Sequence, residues 1–244
     1  MSQQDSLNCQ ANASAPVAAD RSWPGVDPLE AYVAAERIAR IDHVLRQRIG
    51  SIVAVFEDIF DPHNVAACLR TCDGFGLQRT HVVLNQHGVR QSSTVSKSAD
   101  QWLDIQRHAG TAAGIAALKA QGFCIWVSDL QATETLDELP LDPKIALVVG
   151  NAHAGISPEM RQAADRRYIL PMHGMVQSYN LSVALALSLQ TVVPKRRASL
   201  GGQGDMSVAE MWQLRQKWLE FGIRHVDAMR RSVGYGPHIA AITP

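Results

Sequence analysis

At 244 residues, with 46% hydrophobic side chains and few aromatics, the chain can bury an ordinary core of Ala, Val, Leu and Ile, as one large domain or a domain with appendages. Its 23 basic and 23 acidic side chains cancel, which excludes a global basic field for gathering nucleic acid. The balance is uneven: residues 51–193 carry 10 basic and 13 acidic side chains and residues 194–244 carry 8 and 4, a pattern that fits either a polyanionic partner or a solvated helix face.

Residues 1–22, rich in Ala, Ser, Gln and Asn, are expected to be a disordered tail, and they lack the charged start and apolar run of a signal peptide. Residues 23–50 form a helical extension. Within it, 29–49 reads as one amphipathic helix, because Tyr32, Val33, Ile38, Ile41 and Leu45 recur at three-to-four spacing between Arg37, Arg40, Arg46 and Arg48. SIVAVF (51–56) is an apolar run of the kind parallel sheets bury on both faces. A loop, EDIFDPH, leads to Asn64 as a helix cap, and the helix over 65–75 stops at Gly76. THVVL (80–84) completes a parallel β-α-β unit.

Residues 85–99 read as a polar loop with a short helix, 102–107 as a strand, and 111–121 as a helix closed by Gly122. FCIWV (123–127) and KIALVV (144–149) are further strands, with one short helical turn expected at 136–139 between them. Ser157, Pro158 and Glu159 start a helix. Residues 168–170 make a last strand before a polar loop with Gly174, and 181–193 form an apolar helix too short and too polar to span a membrane. Residues 194–244 are a basic linker followed by an amphipathic helix over 207–231, opened by the capping pair Ser207 and Glu210. The fold class is therefore α/β: a mostly parallel sheet with helices on both faces over 51–193, plus terminal helices. The four cysteines form no C-x-x-C and read as reduced core residues, which together with the missing signal peptide points to a soluble cytoplasmic protein.

Ligands in open α/β sheets bind beyond the carboxyl ends of the strands. The polar residues there are Asp58, Asp61, His63, Asn64 and Arg70 after the first strand, Ser128 and Asp129 after the FCIWV strand, GNAHAGIS (150–157), and the loop holding His173, Gln177, Ser178, Asn180 and Ser182. No dinucleotide fingerprint, phosphate loop or G-x-S-x-G elbow is present. Asp61, His63 and His153 are too scattered to predict a metal, and none is expected.

Three stretches in order, DPHNVAACLRTCDGFG (61–76), ALVVGNAHAGIS (146–157) and ILPMHGMVQSYNLSVALA (169–186), resemble the three motifs of the SpoU/TrmH family of SPOUT methyltransferases. The third is most similar to the TrmH branch, which methylates tRNA. The resemblance covers 51–193. It implies an α/β fold closed by a C-terminal deep trefoil knot, an S-adenosylmethionine cofactor, a homodimer and methyl transfer to an RNA ribose 2′-hydroxyl, most directly that of a tRNA D-loop guanosine. It places Asn64, Arg70, Ser178 and Asn180 in the catalytic set, with Ser178 and Asn180 facing Arg70 across the dimer interface. Ser128, Gly150, Leu170, Met172 and Tyr179 fall in the cofactor site.

Simpler roles stand beside these. Asn64 and Ser178 can be helix caps, Leu170 core, and Arg70 the partner of Asp73 in a surface ion pair. Arg46, Arg48, Lys195, Arg196 and Arg197, with Arg215 and Lys217, are expected to form a basic surface for the RNA backbone. The helix over 181–193 is expected to bury itself between subunits. Two departures from the family pattern matter. Ala152 stands where the family has an acidic residue, with Asn151 and Glu57 the nearest groups to take over its role, and Tyr179 is larger than the usual Leu. The alternatives are an rRNA 2′-O-methyltransferase, or an RNA-binding homologue whose catalysis is impaired at Ala152.

Overall fold

The computed structural model describes residues 23–85, 99–142, 144–151, 154–223, 226 and 230. They fall into two compact units, which divide at 48/49 and 204/205 rather than at the expected 50/51 and 193/194.

The unit Ile49–Gly204 is built on a parallel sheet of β1 (Ile52–Glu57), β2 (Arg79–Leu84), β3 (Asp104–Ala109), β4 (Cys124–Ser128), β5 (Ile145–Val149) and β6 (Arg166–Tyr168), in the order β3-β2-β1-β5-β4-β6. The apolar runs form strands because both of their faces are covered. Ala54, Phe56, Trp126, Leu147 and Val149 join one buried cluster with Cys68, Leu69 and Cys72 of α2 (Pro62–Phe75) and Leu185, Leu189 and Val192 of α5 (Leu181–Ser199). The alternate residues Val53, Val55, Ile125, Val127, Ala146 and Val148 join the other, with Leu118 of α3 (Thr111–Ala120) and Met160 of α4 (Pro158–Ala163).

Several boundaries moved, each for a local reason. Asp100–Trp102 winds into a 3-10 turn, so β3 begins at Asp104 rather than at residue 102. The last strand is Arg166–Tyr168, not 168–170, because Ile169 already bridges to Thr135 and Leu170 leaves the sheet. α5 runs through Pro194 to Ser199, six residues past its expected end, since burial of Val192, Val193 and Arg196 holds the helix on both sides of the proline. Its buried face (Leu181, Leu185, Ser188, Leu189, Val192 and Val193) packs within its own unit, while Val183 and Leu187 stay exposed.

The second unit contains a 3-10 turn (Pro28–Tyr32), α1 (Ala35–Gln47) and α6 (Val208–Glu220), with α1 packed on α6. The helix expected over 29–49 is broken. Asp27 and Glu30 form a capping box around the first turn, and Val33 is extended. The Ser207–Glu210 capping box forms as expected, but α6 stops at Glu220, ahead of Gly222 at φ 85°.

Cys68 and Cys72 are free and buried, and burial pushes the Cys68 thiol up to about 12. Cys124, expected to be reduced, is disulfide-bonded. Among the described residues no helix is long and apolar enough to cross a membrane.

Candidate active site

A cavity of about 390 Å³ opens beyond the carboxyl ends of β4, β5 and β6. Its wall includes Ser128 and Asp129 after β4, Gly150 and Asn151 after β5, and Leu170, Met172, Ser178 and Tyr179 from the loop after β6. All five residues expected at a cofactor, Ser128, Gly150, Leu170, Met172 and Tyr179, line this one cavity. Leu170 also packs against the core cluster. Ser178 lines the cavity and does not cap α5; Asn180 does, its side chain accepting from the Ser182 amide at 2.9 Å.

The motif-two loop explains Gly150 locally. Asn151 and Gly155 exchange two backbone hydrogen bonds of 3.0 and 2.9 Å, which folds the loop back on itself. A Cβ on residue 150 would lie 2.3 Å from the Gly155 carbonyl oxygen, so no other residue allows that closure. Ala152 and His153 lie outside the described residues. The two groups expected to stand in for an acid at 152 are already committed. The Asn151 amide donates to the Asp58 carbonyl at 2.9 Å and accepts from the Ala154 amide at 3.1 Å. Glu57, 1% exposed, accepts from the Thr111 hydroxyl at 2.7 Å and from the Ser157 amide and hydroxyl at 2.9 and 2.7 Å. It ties β1 to the starts of α3 and α4 and offers nothing to the cavity.

Asn64 is not a cap. Asp61 caps α2, with Pro62 in its first turn, and accepts from the His63 amide. The Asn64 amide instead donates to Asp61 at 2.9 Å and its oxygen accepts from the Asn180 amide at 3.0 Å. Two of the four expected catalytic residues are thus joined directly, α2 to the start of α5, within one chain. Arg70 lies further along α2, is exposed, and makes no ion pair with Asp73 or any other described residue. It does not line the cavity.

The expected basic surface is largely spent on packing. Arg48 is 2% exposed and lies 5.2 Å over the Trp218 ring. Arg215 is buried between Glu30 and Asp42, at 2.6 Å from each, and beside Trp23 and Trp212. Arg46 is half-buried over Trp23. Arg196 is 7% exposed and donates to the Asp142 carbonyl, and Arg197 donates to the Phe75 carbonyl at 3.0 Å. Lys195 and Lys217 are exposed, and Lys195 pairs with Asp137 at 2.9 Å. Arginine packs its long stem and planar head on aromatic rings, so a count of basic residues overstates the charge a helix pair presents.

Sequence reasoning missed Arg161. It reaches from α4 into the cavity wall, 3.2 Å from the buried Asp129 carboxylate. No spacing rule joins a residue on α4 to one after β4. Asp129 is the acid at the end of β4, and its carboxylate also accepts from the Gln131 amide at 3.0 Å.

The chain matches the SpoU rRNA Methylase family over residues 51–190. It is 31% identical to a tRNA (guanosine(18)-2′-O)-methyltransferase of Borreliella burgdorferi, over 70% of this chain and 79% of that one. Against the enzyme of the same name from Escherichia coli K12 it is 32% identical, over 66% and 71%. The crystal structure of a TrmH/SpoU tRNA-modifying enzyme from A. aeolicus superposes with a TM-score of 0.69 at 26% identity, covering 80% of this chain and 99% of that one.

Proposed function

Because the chain belongs to the SpoU rRNA methylase family, we propose that it transfers a methyl group from S-adenosylmethionine to the ribose 2′-hydroxyl of a tRNA guanosine. The observation that carries the reading is the cavity beyond β4, β5 and β6, which gathers residues from separate stretches of sequence into one wall. Its volume lies within the usual range for cofactor sites, ~300–1,000 Å³. The loop after β6 also fits the cofactor. Among the described residues, the backbone amides of Met172–Ser178 donate no hydrogen bond, so they are available to a bound molecule. Ser128, Gly150, Leu170, Met172 and Tyr179 would hold the cofactor.

S-adenosylmethionine supplies a methyl group on a positively charged sulfur, already activated for displacement. The protein's task is alignment and removal of the hydroxyl proton. Asn64 and Asn180 brace α2 against the start of α5. A guanidinium is not a base in proteins, so Arg70 is given another role. It clamps the phosphate beside the target ribose, and that phosphate or a water takes the proton as the C–O bond forms. Because Arg70 is exposed and absent from the cavity of its own chain, the complete site forms in a homodimer, with Arg70 of one subunit facing the cavity of the other. The exposed Val183 and Leu187 on α5 supply apolar surface for that contact. The C-terminal part of the Ile49–Gly204 unit is threaded as a deep trefoil knot.

The test is nucleoside analysis of tRNA and rRNA incubated with the purified protein and S-adenosylmethionine. The reading expects 2′-O-methylguanosine in tRNA. Label only in rRNA would move the substrate to ribosomal RNA. Cofactor binding in calorimetry with no methylation of either would make the chain an impaired homologue.

A further inference from the structure

The loop between β6 and α5 lines the cavity yet has almost nothing to hold its shape. Among the described residues, 171–179 make one hydrogen bond, from the Tyr179 hydroxyl to the Pro171 carbonyl at 3.1 Å. That bond spans eight residues and ties the end of the loop to its beginning. The segment between includes Gly174, around which a Cβ would meet nothing within 4 Å, and Met175, which is 99% exposed. Neither glycine crowding nor apolar burial fixes the turn there. Tyr179 itself is 37% exposed, and it lines the cavity beside Met172, Gln177 and Ser178.

We infer that Tyr179 is a positioning residue for the cofactor: its hydroxyl closes residues 171–179 into a hoop and so presets the backbone groups that hold S-adenosylmethionine. The inference rests on the cofactor reading above. A loop that samples many shapes binds with an affinity lowered by the fraction of time it spends in the competent one. A tie raises that fraction before the ligand arrives, and part of the ordering cost is met during folding. The bond is intramolecular and half in solvent, so it acts on the loop alone and contributes little to global stability.

The experiment uses the full chain and two substitutions. Tyr179→Phe removes the hydroxyl and keeps the ring; Tyr179→Leu removes both. Cofactor affinity is measured by calorimetry, and backbone order parameters of amides 172–178 are measured by NMR without ligand. In Tyr179→Phe the order parameters fall, the dissociation constant for S-adenosylmethionine rises about three- to tenfold, and the KM for tRNA and the melting temperature stay at wild-type values. Tyr179→Leu weakens cofactor binding at least as much. Should Tyr179→Phe match the wild type in both affinity and loop order, the inference is overturned while the cofactor reading stands. Weakened binding in Tyr179→Leu alone would assign the effect to the ring and overturn the hydroxyl tie. A wild-type chain that binds no S-adenosylmethionine would overturn the cofactor reading itself, and with it the role given to Tyr179.

Discussion

The two halves of the sheet's carboxyl edge are made from the same kinds of residue and end differently. Over β1 and β2, the polar side chains of Glu57, Asp58 and Asn85 are each engaged by a neighbour. Glu57 takes three donors, Asp58 accepts from the Asn85 amide and side chain at 2.8 Å each, and Asn85 in turn bonds Thr111. Asp58 accepts a φ of 51° to sit there. Over β4 and β6, the amides of Met172–Ser178 in the loop after the last strand donate to no other described residue, and the loop lines a cavity. A carboxylate whose acceptors are saturated from within is structural, however well it is placed for chemistry. A backbone stretch with donors to spare can still take a ligand. Buried or enclosed polar groups settle their hydrogen bonds one way or the other.

The contrast can be probed from both sides. On the open side, Arg70→Ala should lower methyl transfer about 100- to 1,000-fold with little change in melting temperature, if charge from outside the cavity completes the site. Arg70→Lys separates clamp from charge: two-pronged phosphate binding predicts a loss of at least ~10-fold, whereas wild-type turnover would end the clamp idea. On the closed side, Glu57→Ala strands the Ser157 amide and takes an acceptor from the Thr111 and Ser157 hydroxyls. Its cost should be about 3 kcal/mol in chemical denaturation, and an unchanged midpoint would show that the network is not structural.

Acid offers a smaller perturbation of the same half. His81 and His108, on β2 and β3, stack at 5.1 Å with ring nitrogens 2.9 Å apart, and burial, helped by His108, lowers His81 to about 4. The pair is held neutral in the fold. The unfolded chain therefore binds more protons between about pH 6.5 and 4. Stability is full above that window and falls through it, by on the order of 2–3 kcal/mol. Melting curves across the range should show the slope, and His81→Leu should flatten it. The smallest effect is expected at neighbouring cations of α5. Lys195→Ala should weaken tRNA binding by roughly twofold at low salt, whereas Arg196→Ala should act mainly on the melting temperature. Equal effects on RNA affinity would mean that burial does not separate them.

What was legible in the sequence followed from burial. β1, β4 and β5 are covered on both faces, so their apolar runs announced them within a residue or so. β6 and β3 carry Arg, His and Gln, lie at the two edges, and were each displaced by two residues. The cavity residues came from resemblance to known motifs, and the structure brings Ser128, Gly150, Leu170, Met172, Ser178 and Tyr179 together in one wall. The Asn64–Asn180 bond and the fate of Glu57 were not legible, because both depend on side chains meeting across large separations in sequence. The basic surface misled for another reason. Charge can be counted along a chain, but whether a guanidinium faces water or an indole cannot.

The strand order also bears on how the chain reaches this shape as it is synthesised. β1, β2 and β3 pair in the order in which they are made. β4 then appears with no place to dock, because its neighbours in the finished sheet are β5 and β6, both still to come. Its apolar residues Ile125, Trp126 and Val127 must wait for β5 to slot between β1 and β4. A nascent chain that has emerged only as far as residue 142 holds a half-sheet and one unpaired hydrophobic strand, the species most exposed to aggregation. The centre of the sheet is therefore completed late, and the cavity beyond β4, β5 and β6 cannot exist before it.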